Sequence, residues 1–335
     1  MLSGKENLMN MYRHKQTDFV PSTFLDQKGF GVFDPIEKGD PAKGGYDAFG
    51  VRWIMPASAG GAPIPAPNEF VLTDITKWKS QVTIPNVDAI DWAARAERET
   101  APFDRSKLVF DYSNGNGVFE RLGALMGMEE ALIAMMEEPE AVNDLFTAIT
   151  DFKIKYAEKV AKYYKVDTFT YFDDIATARG LFMSPETFRD LIKPHHTRLY
   201  KALADMGIMP VYHLCGYAEN IVEDIIDTGA VAWSSIQPMN DIAGLIQKYG
   251  DRLSFIGGYD TSGQPGYADM DPQVYYDEVH RCVDTYGRPF NRAYAFSGYI
   301  MKETLDPKEM LQGFMPMIEE MGRIRQADLA ALASH

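Results

Sequence analysis

The chain of 335 residues contains only two cysteines, Cys215 and Cys282. So few cysteines exclude a disulfide framework, and we expect a reduced, cytoplasmic protein. Long hydrophobic runs are missing too, since no uncharged apolar stretch approaches the roughly 18 residues that a transmembrane helix needs. The opening residues Ser, Gly, Lys, Glu and Asn leave no apolar segment for a secretory signal. The sequence therefore predicts neither secretion nor a membrane role.

Positive charge is also scarce. Lys and Arg number 33 against 48 Asp and Glu, so the formal net charge is -15. A protein that binds the phosphate backbone needs clustered Lys and Arg, and this composition argues against a nucleic-acid partner. A local pocket can be positively charged although the net charge is negative, so a small anionic substrate remains an alternative.

Hydrophobic residues make up 46% of the chain and charged residues 24%, which argues against a disordered or fibrous protein. From residue 107 onward, short apolar runs alternate with helical patterns. We predict strands at 19–24, 107–112, 167–172, 208–214, 231–236, 253–256 and 293–296. We predict helices at 3–14, 118–137, 139–164, 184–206, 218–227, 241–249, 271–286 and 306–331, several of which begin with a cap such as Ser184-Pro185.

Strands that alternate with helices across short connections predict parallel βα units. Seven strands are clear, and an eighth is expected within 26–106, so a distorted (β/α)8 TIM barrel fits best. Residues 26–106 are rich in proline and glycine, and we interpret them as an N-terminal elaboration or lid within one domain, 1–335. An open doubly wound sheet is the alternative, but Gly115-Asn-Gly117 lacks the third glycine of a dinucleotide-binding loop.

In a barrel the active site lies at the carboxyl ends of the strands, which makes position along the chain a filter. Polar residues that follow predicted strands are the candidates for catalysis and substrate binding. They are Asn114, Asn116, Asp173, Asp174, Tyr212, His213, Cys215, Gln237, Asp260 and Tyr299. The neighbouring Asp173 and Asp174 should point to opposite faces, so that one faces the site and one caps a loop, unless both lie in a solvated turn.

His213 and Cys215 are the most specific signal. They lie two residues apart at a strand end, so their side chains share a face. Imidazole and thiolate together suit zinc, and Gly216 permits a sharp turn after them. The alternative is a buried cysteine beside a hydrogen-bonded histidine in the barrel wall.

The other cysteine and the paired histidines are interpreted as structural. Cys282 lies ten residues beyond Pro272, roughly 15 Å down a helix that leaves the catalytic face, so we expect it to pack in the core. The same reasoning applies to His280. His195-His196 lie well inside their helix, where surface or interhelical contacts are expected.

Motifs along nearly the whole chain resemble the uroporphyrinogen decarboxylase superfamily, and more closely its branch of cobamide-dependent methyltransferases. These motifs are Lys5-Glu-Asn7, Asp18-Phe-Val-Pro21, Tyr46-Asp-Ala-Phe-Gly-Val-Arg-Trp53, Asp173-Asp-Ile-Ala-Thr-Ala-Arg-Gly180, Ser184-Pro-Glu186, Lys193-Pro-His-His196, His213-Leu-Cys-Gly216 and Phe255-Ile-Gly-Gly-Tyr-Asp260. The resemblance implies a distorted (β/α)8 barrel, in agreement with the strand and helix pattern.

The resemblance also implies a zinc site. Methyltransferases of this branch bind zinc through His-x-Cys and a later cysteine in a Pro-Gly-Cys turn. His213 and Cys215 match the first two ligands, but the later turn is Ser297-Gly298-Tyr299, with Tyr299 in the cysteine's place. Either Tyr299 or a nearby carboxylate completes the site, or zinc is weakly bound or absent.

The implied reaction is demethylation of a methoxylated aromatic, with the methyl group passed to the Co(I) cobamide of a partner corrinoid protein. His213 would hold zinc or act as an acid, while Asp173, Asp174, Asn114 and Tyr299 would shape the substrate pocket. The alternative within the branch is methyl transfer to a thiol such as coenzyme M. Porphyrin decarboxylation is disfavoured because the decarboxylase's arginine-rich N-terminal segment is not seen, and a non-enzymatic binding barrel also stays open. A homodimer is a candidate assembly.

Overall fold

The computed structural model describes residues 1–31, 34–40, 45–56, 63–300 and 307–334. It divides into two compact units. The terminal unit comprises Met1–Lys28, Asp104–Val109 and Val231–His335, and the central unit comprises Gly29–Phe103 and Phe110–Ala230. None of the helices in the described ranges combines the length and apolar character needed to cross a membrane.

Eleven strands are assigned within the described residues. They are β1 (Gln27–Phe30), β2 (Trp53–Ile54), β3 (Ile64–Pro65), β4 (Val109–Asn114), β5 (Thr168–Phe172), β6 (Ala176–Thr177), β7 (Gly180–Leu181), β8 (Met209–His213), β9 (Ala232–Ile236), β10 (Ser254–Gly258) and β11 (Tyr294–Ser297).

Thirteen α-helices are assigned in the same residues. They are α1 (Gly4–Tyr12), α2 (Thr23–Asp26), α3 (Trp78–Gln81), α4 (Trp92–Thr100), α5 (Val118–Met126), α6 (Met128–Glu137), α7 (Pro139–Tyr163), α8 (Pro185–Thr187), α9 (Lys193–Asp205), α10 (Val222–Asp227), α11 (Ile242–Tyr249), α12 (Pro272–Cys282) and α13 (Pro307–Ala333). Ser3 and Glu6 form the expected capping box at α1, and Ser184, Asp241 and Asp271 cap later helices.

In the central unit, β4, β5 and β8 are parallel neighbours, as the alternating pattern predicts. Asn114 lies opposite Tyr171, and Phe172 lies opposite His213. The carboxyl ends of the three strands are therefore side by side. The short antiparallel hairpin β6–β7 follows β5, and the backbone nitrogen of Tyr217 donates to the carbonyl of Thr177 in this hairpin at 2.8 Å.

In the terminal unit, β9, β10 and β11 are parallel neighbours. Phe255 of β10 lies opposite Trp233 on one side and Tyr294 on the other. All three side chains are buried, so this part of the chain has an aromatic core of its own.

The predicted strand at 19–24 is wrong. Ser22 instead caps the short helix α2, since its hydroxyl accepts a hydrogen bond from the backbone nitrogen of Phe24. A single parallel bridge from Ser22 to Phe296 remains, and the strand follows as β1. A polar cap residue outweighed the apolar pattern here.

Two further expectations need correction. The helix predicted at 118–137 is divided at Gly127, whose φ is +87° and whose Cβ position would lie 2.9 Å from the ring of Phe70. Only seven strands carry the main α/β pattern in the described ranges, rather than the eight of a closed barrel. The region 26–106 supplies β1 and the antiparallel pair β2–β3, while its residues 32–33, 41–44 and 57–62 lie outside the described residues.

Candidate metal site

The end of β8 carries His213 and Cys215 on one face. His213 Nε2 lies 3.7 Å from Cys215 Sγ, as expected for residues two apart at a strand end. Gly216 follows with φ +95°, and a Cβ there would lie 2.6 Å from the carbonyl oxygen of Thr177. Only glycine fits this turn, which directs the chain away immediately after the two side chains.

Asp174 joins them from the neighbouring strand. It lies just beyond β5, and its Oδ1 accepts a hydrogen bond from the backbone nitrogen of Cys215 at 2.7 Å. One ligand atom from each of Asp174, His213 and Cys215 lies within 4.8 Å of the others, and all three residues are half-buried. We call these three residues the triad; in the described part of the chain it is the one such cluster.

The surroundings of His213 keep its imidazole neutral and fixed. The ring stacks on Phe172 with centroids 3.8 Å apart and an interplanar angle of 19°. Burial lowers the pKa of His213 to about 4, with the charge of Asp174 opposing this shift and that of Lys38 adding to it. A neutral imidazole at neutral pH is the form that binds a metal ion.

The donor set fits zinc. A carboxylate oxygen, an imidazole nitrogen and a thiolate sulfur are all accepted ligands of this ion, and three protein ligands leave a fourth position for water or substrate. Asp174 is thus a carboxylate placed where a third ligand is needed. Three donors with an open position are typical of catalytic rather than structural zinc sites.

Asp173 points away from the triad and is fully buried. Its Oδ1 accepts hydrogen bonds from the backbone nitrogens of Phe119 at 3.1 Å and Glu120 at 2.9 Å, which caps α5. Its Oδ2 lies 2.7 Å from Nε2 of His196. The hydroxyl of Tyr212 donates to the main-chain carbonyl of Asp173 at 2.8 Å. The two adjacent carboxylates therefore have different roles: Asp173 caps α5, and Asp174 belongs to the triad.

Asn114 and Asn116 are buried among protein partners. Asn114 donates to Glu37 Oε1 at 3.3 Å and accepts from Lys153 Nζ at 2.8 Å. Asn116, with φ +51°, donates to the carbonyl of Glu37. Their amides thus hold the chain around Glu37, whereas the sequence predicted contacts with substrate.

The buried network of ion pairs around Glu37 was not predicted from the sequence. Arg121 lies 2.9 Å from Glu37 and 2.6 Å from Asp47, and Lys153 lies 2.7 Å from Glu37. All four side chains are almost completely buried. The two cations neutralise the two anions. The network therefore holds the segment around Glu37 in place without leaving a net charge in the protein interior.

Lys38 and Glu120 are two further residues that the sequence did not single out. Burial, then the charge of Asp174, raises the pKa of Glu120 to about 8, and the charge of Lys38 opposes this shift. Both residues therefore lie within electrostatic reach of the triad. The sequence offers only weak signals for these two residues, since Glu120 is an acid in the first turn of the helix after β4 and Lys38 is a lysine in an irregular segment.

The remaining candidates lie in the terminal unit. Gln237 donates to the hydroxyl of Thr261 at 2.9 Å, and the carboxylate of Asp260 accepts from the backbone nitrogens of two following turn residues. Tyr299 is 38% exposed and lies against Phe314 with ring centroids 6.0 Å apart. That Gln237, Asp260 and Tyr299 belong to the same site as the triad stays a prediction.

The residues interpreted as structural are buried or paired. Cys282 is fully buried, its thiol donates to the carbonyl of Gly258 at 3.3 Å, and burial raises its pKa. His195 packs between helices, with Nε2 3.0 Å from Asn143 Oδ1 and Nδ1 3.2 Å from the Thr150 hydroxyl. His280 pairs with Glu320 at 2.8 Å.

Comparison with known proteins identifies a family. The family model described as Uroporphyrinogen decarboxylase (URO-D) matches residues 116–301. This range includes the triad and the parallel strands β5, β8, β9, β10 and β11, and it begins just after β4. No curated protein matches the chain.

Two solved structures are similar at a low level. The AP endonuclease, family 2, from Brucella melitensis has a TM-score of 0.39 and 14% identity, covering 69% of this chain and 85% of that chain. The xylose isomerase domain protein from Planctomyces limnophilus has a TM-score of 0.38 and 11% identity, covering 77% of this chain and 93% of that chain. Similarity this low carries no inference. The family match, in contrast, spans more than half of the residues, and the chain belongs to the uroporphyrinogen decarboxylase (URO-D) family.

Proposed function

We propose that this member of the URO-D family is a zinc-dependent methyltransferase that demethylates a methoxylated aromatic. The methyl group would pass to the Co(I) cobamide of a partner corrinoid protein. The observation that carries the proposal is the triad, in which Asp174, His213 and Cys215 offer oxygen, nitrogen and sulfur donors within 4.8 Å of one another.

The composition of the triad favours an oxygen substrate over a thiol. Carboxylate is a harder ligand than thiolate and donates less charge to a metal ion. One carboxylate, one imidazole and one thiolate therefore leave a bound ion more able to accept an oxygen ligand. Zinc held here would act as a Lewis acid toward the ether oxygen. Thiol methylation, the alternative within the branch, would use the same three residues.

The chain's own residues would hold this arrangement in place. Asp174 is fixed by the backbone nitrogen of Cys215, and His213 is fixed by its stacking on Phe172. In the reaction, the bond between the methyl carbon and the ether oxygen breaks and its electron pair stays on oxygen. The electron pair for the new bond to carbon comes from Co(I), and the aromatic leaves as a phenolate that takes a proton from water.

Phe182, which directly follows the hairpin β6–β7, is an exposed aromatic side chain that suits a flat ligand. Phe182 is 38% exposed, and its ring lies 5.7 Å from that of the buried Phe119. The backbone nitrogen of Phe182 donates to the carbonyl of Ile175 at 2.9 Å, next to Asp174 in the chain. A ring held against Phe182 would thus lie near the triad.

The pairing of the buried cations in the central unit gives no support to porphyrin decarboxylation. A porphyrinogen carries several carboxylates, and a protein that binds it must supply cations. The buried cations Arg121 and Lys153 are instead neutralised by Glu37 and Asp47.

The proposal is tested by metal analysis together with both half-reactions. Purified protein should contain about one zinc per chain. With a reduced corrinoid protein it should release a phenol from a methoxylated aromatic, and His213→Ala and Cys215→Ala should lose both zinc and activity. Cys282→Ala is the matched control and should keep both. Methyl transfer from methylcobamide to a thiol without phenol release would replace the proposal by its alternative, and full activity in both triad variants would refute it.

A further inference from the structure

Glu120 has a carboxyl oxygen that protein contacts do not satisfy. Glu120 is half-buried as a residue, but its Oε2 atom is buried and has no hydrogen-bond partner among the residues that the structure describes. Leaving such an atom unpaired costs free energy, because its hydrogen bonds to water are lost and no hydrogen bond within the protein replaces them. An oxygen of this kind, close to a candidate metal site, points to a ligand that supplies the missing partner.

The position of Glu120 connects it to the triad. Its backbone nitrogen donates to Asp173 Oδ1 at 2.9 Å, so it lies in the first turn of α5, directly beside the end of β5. Of the neighbouring charges, that of Asp174 has the largest effect on the pKa of Glu120, followed by that of Lys38. The side chain therefore lies within electrostatic reach of both a triad residue and Lys38.

Lys38 supplies a cation within electrostatic reach of Glu120. Its Cε lies 3.6 Å from the position that a Cβ would take at Gly115, just after β4, and its ammonium lies 5.5 Å from the ring centroid of Trp53. Within the described ranges Lys38 forms no ion pair with a carboxylate. Its neighbour Glu37 is fastened by Arg121 and Lys153, which fixes the backbone from which Lys38 extends.

We propose that Glu120 and Lys38 form a polar subsite beside the triad that binds a hydroxyl substituent on the aromatic ring of the substrate. This inference rests on the proposed function, because it assigns the substrate class of the same site: methoxylated phenols rather than methoxybenzenes without a hydroxyl.

A hydroxyl is the substituent that satisfies both side chains. It accepts a hydrogen bond from the Lys38 ammonium, and it either donates to the carboxylate form of Glu120 or accepts from the protonated form. A second methoxy group only accepts, and a carboxylate substituent would be repelled by Glu120 in its ionised form. Of these three substituents, a hydroxyl is thus the one that pairs with Glu120 in either protonation state.

Binding of two ligands of nearly equal size tests the subsite without any methyl transfer. Zinc-loaded protein is titrated calorimetrically with 2-methoxyphenol and with methoxybenzene. We expect the phenol to bind at least about tenfold more tightly, which corresponds to about 1.4 kcal/mol. Glu120→Leu and Lys38→Met should each reduce this preference about fivefold or more, and Glu120→Gln should retain part of it because the amide still forms hydrogen bonds.

Surface variants of the same residue types are the controls. Glu129→Gln on α6 and Lys107→Met change exposed side chains and should leave the preference intact. Glu120→Leu is expected to fold, since it removes an unpaired buried oxygen, and its thermal midpoint should not fall below that of the original protein.

The outcomes separate this inference from the proposed function. Equal binding of the two ligands, an unchanged preference in Glu120→Leu and Lys38→Met, or tighter binding of 4-methoxybenzoate than of the phenol would each overturn the subsite. A phenol preference that depends on both residues, in a protein that transfers no methyl group, would refute the proposed reaction and leave the subsite standing.

Discussion

Oδ1 of Asp174 accepts a hydrogen bond from the backbone nitrogen of Cys215 at 2.7 Å, although the two residues lie 41 positions apart. Asp174→Asn should keep this contact through its amide oxygen while losing the charge. Since loss of groups that only orient a ligand already costs about 10–100-fold in metal affinity, we expect zinc affinity to fall by about 100-fold or more. Competition with a chromophoric chelator measures it.

A surface aspartate provides the comparison for Asp174. Asp190 is exposed, and Asp190→Asn should leave zinc affinity unchanged. If Asp174→Asn bound zinc as tightly as the unmodified protein, Asp174 would not be a ligand, and the third donor would have to be sought elsewhere.

We expect Asp173 to contribute to the stability of the fold rather than to methyl transfer. Its carboxylate caps α5 and pairs with the buried His196, and both contacts are lost in Asp173→Ala. A lost cap and an unpaired buried polar group together should lower the free energy of unfolding by about 3 kcal/mol. Urea denaturation measures this change. Undiminished stability with loss of methyl transfer would instead support the catalytic role that the sequence predicted.

The contrast between the two aspartates shows how far the sequence alone leads. Alternation along a strand predicted that Asp173 and Asp174 point opposite ways and that His213 and Cys215 share a face, because both follow from local geometry. Which aspartate would meet His213 depended on the pairing of β5 with β8, a long-range relationship that no local pattern encodes.

The residues that the sequence missed share this long-range character. Glu37 and Lys153 are 116 positions apart, and neither lies at a predicted strand end. The misplaced first strand has a local cause instead, because Ser22 caps α2 through the backbone nitrogen of Phe24, two residues away. Local patterns thus predicted most elements after residue 107, but not the irregular segment that carries Lys38 and Glu37.

The buried network should be sensitive to the loss of one charge. Glu37→Gln leaves Lys153 and Arg121 with one fewer compensating anion in a site without solvent. Breaking a buried ion pair in this way costs about 3–5 kcal/mol, and we expect a loss of that order in the free energy of unfolding. Chemical denaturation measures it.

Removing the partner cation as well tests the cause of that loss. Glu37→Gln combined with Lys153→Met should lose less stability than the sum of the two single variants, because no unpaired ammonium remains. Strict additivity would mean that the two side chains do not interact as the 2.7 Å contact indicates.

Asp111 on β4 should make stability depend on pH. Burial raises its pKa to about 6, although the hydroxyls of Thr168, Thr170 and Ser113 donate to the carboxylate and oppose the shift. Between about pH 4 and pH 6 the unfolded chain loses this proton while the folded chain keeps it. The contribution of Asp111 to the free energy of unfolding is therefore full below pH 4 and falls by on the order of 3 kcal/mol as the pH rises to 6.

The comparison with Asp111→Asn isolates this contribution from that of other titrating groups. The stability difference, original protein minus variant, should decrease from pH 4 to pH 6 and then stay constant. Denaturation curves at pH 4.5, 6 and 7.5 measure it. A difference that is independent of pH would show that Asp111 titrates alike in the folded and unfolded chain.

The two cysteines should differ in reactivity. Cys282 is fully buried with a raised pKa, which disfavours the thiolate that alkylating agents attack, whereas Cys215 is half-buried. Brief treatment of the folded, metal-free protein with iodoacetamide should therefore modify Cys215 and spare Cys282, as read by peptide mass spectrometry. Zinc should then protect Cys215, because a thiolate bound to a metal ion is a weaker nucleophile and is shielded by the other ligands. Equal labelling of Cys215 with and without zinc would contradict its role as a ligand, and labelling of Cys282 in the folded protein would contradict its place in the core.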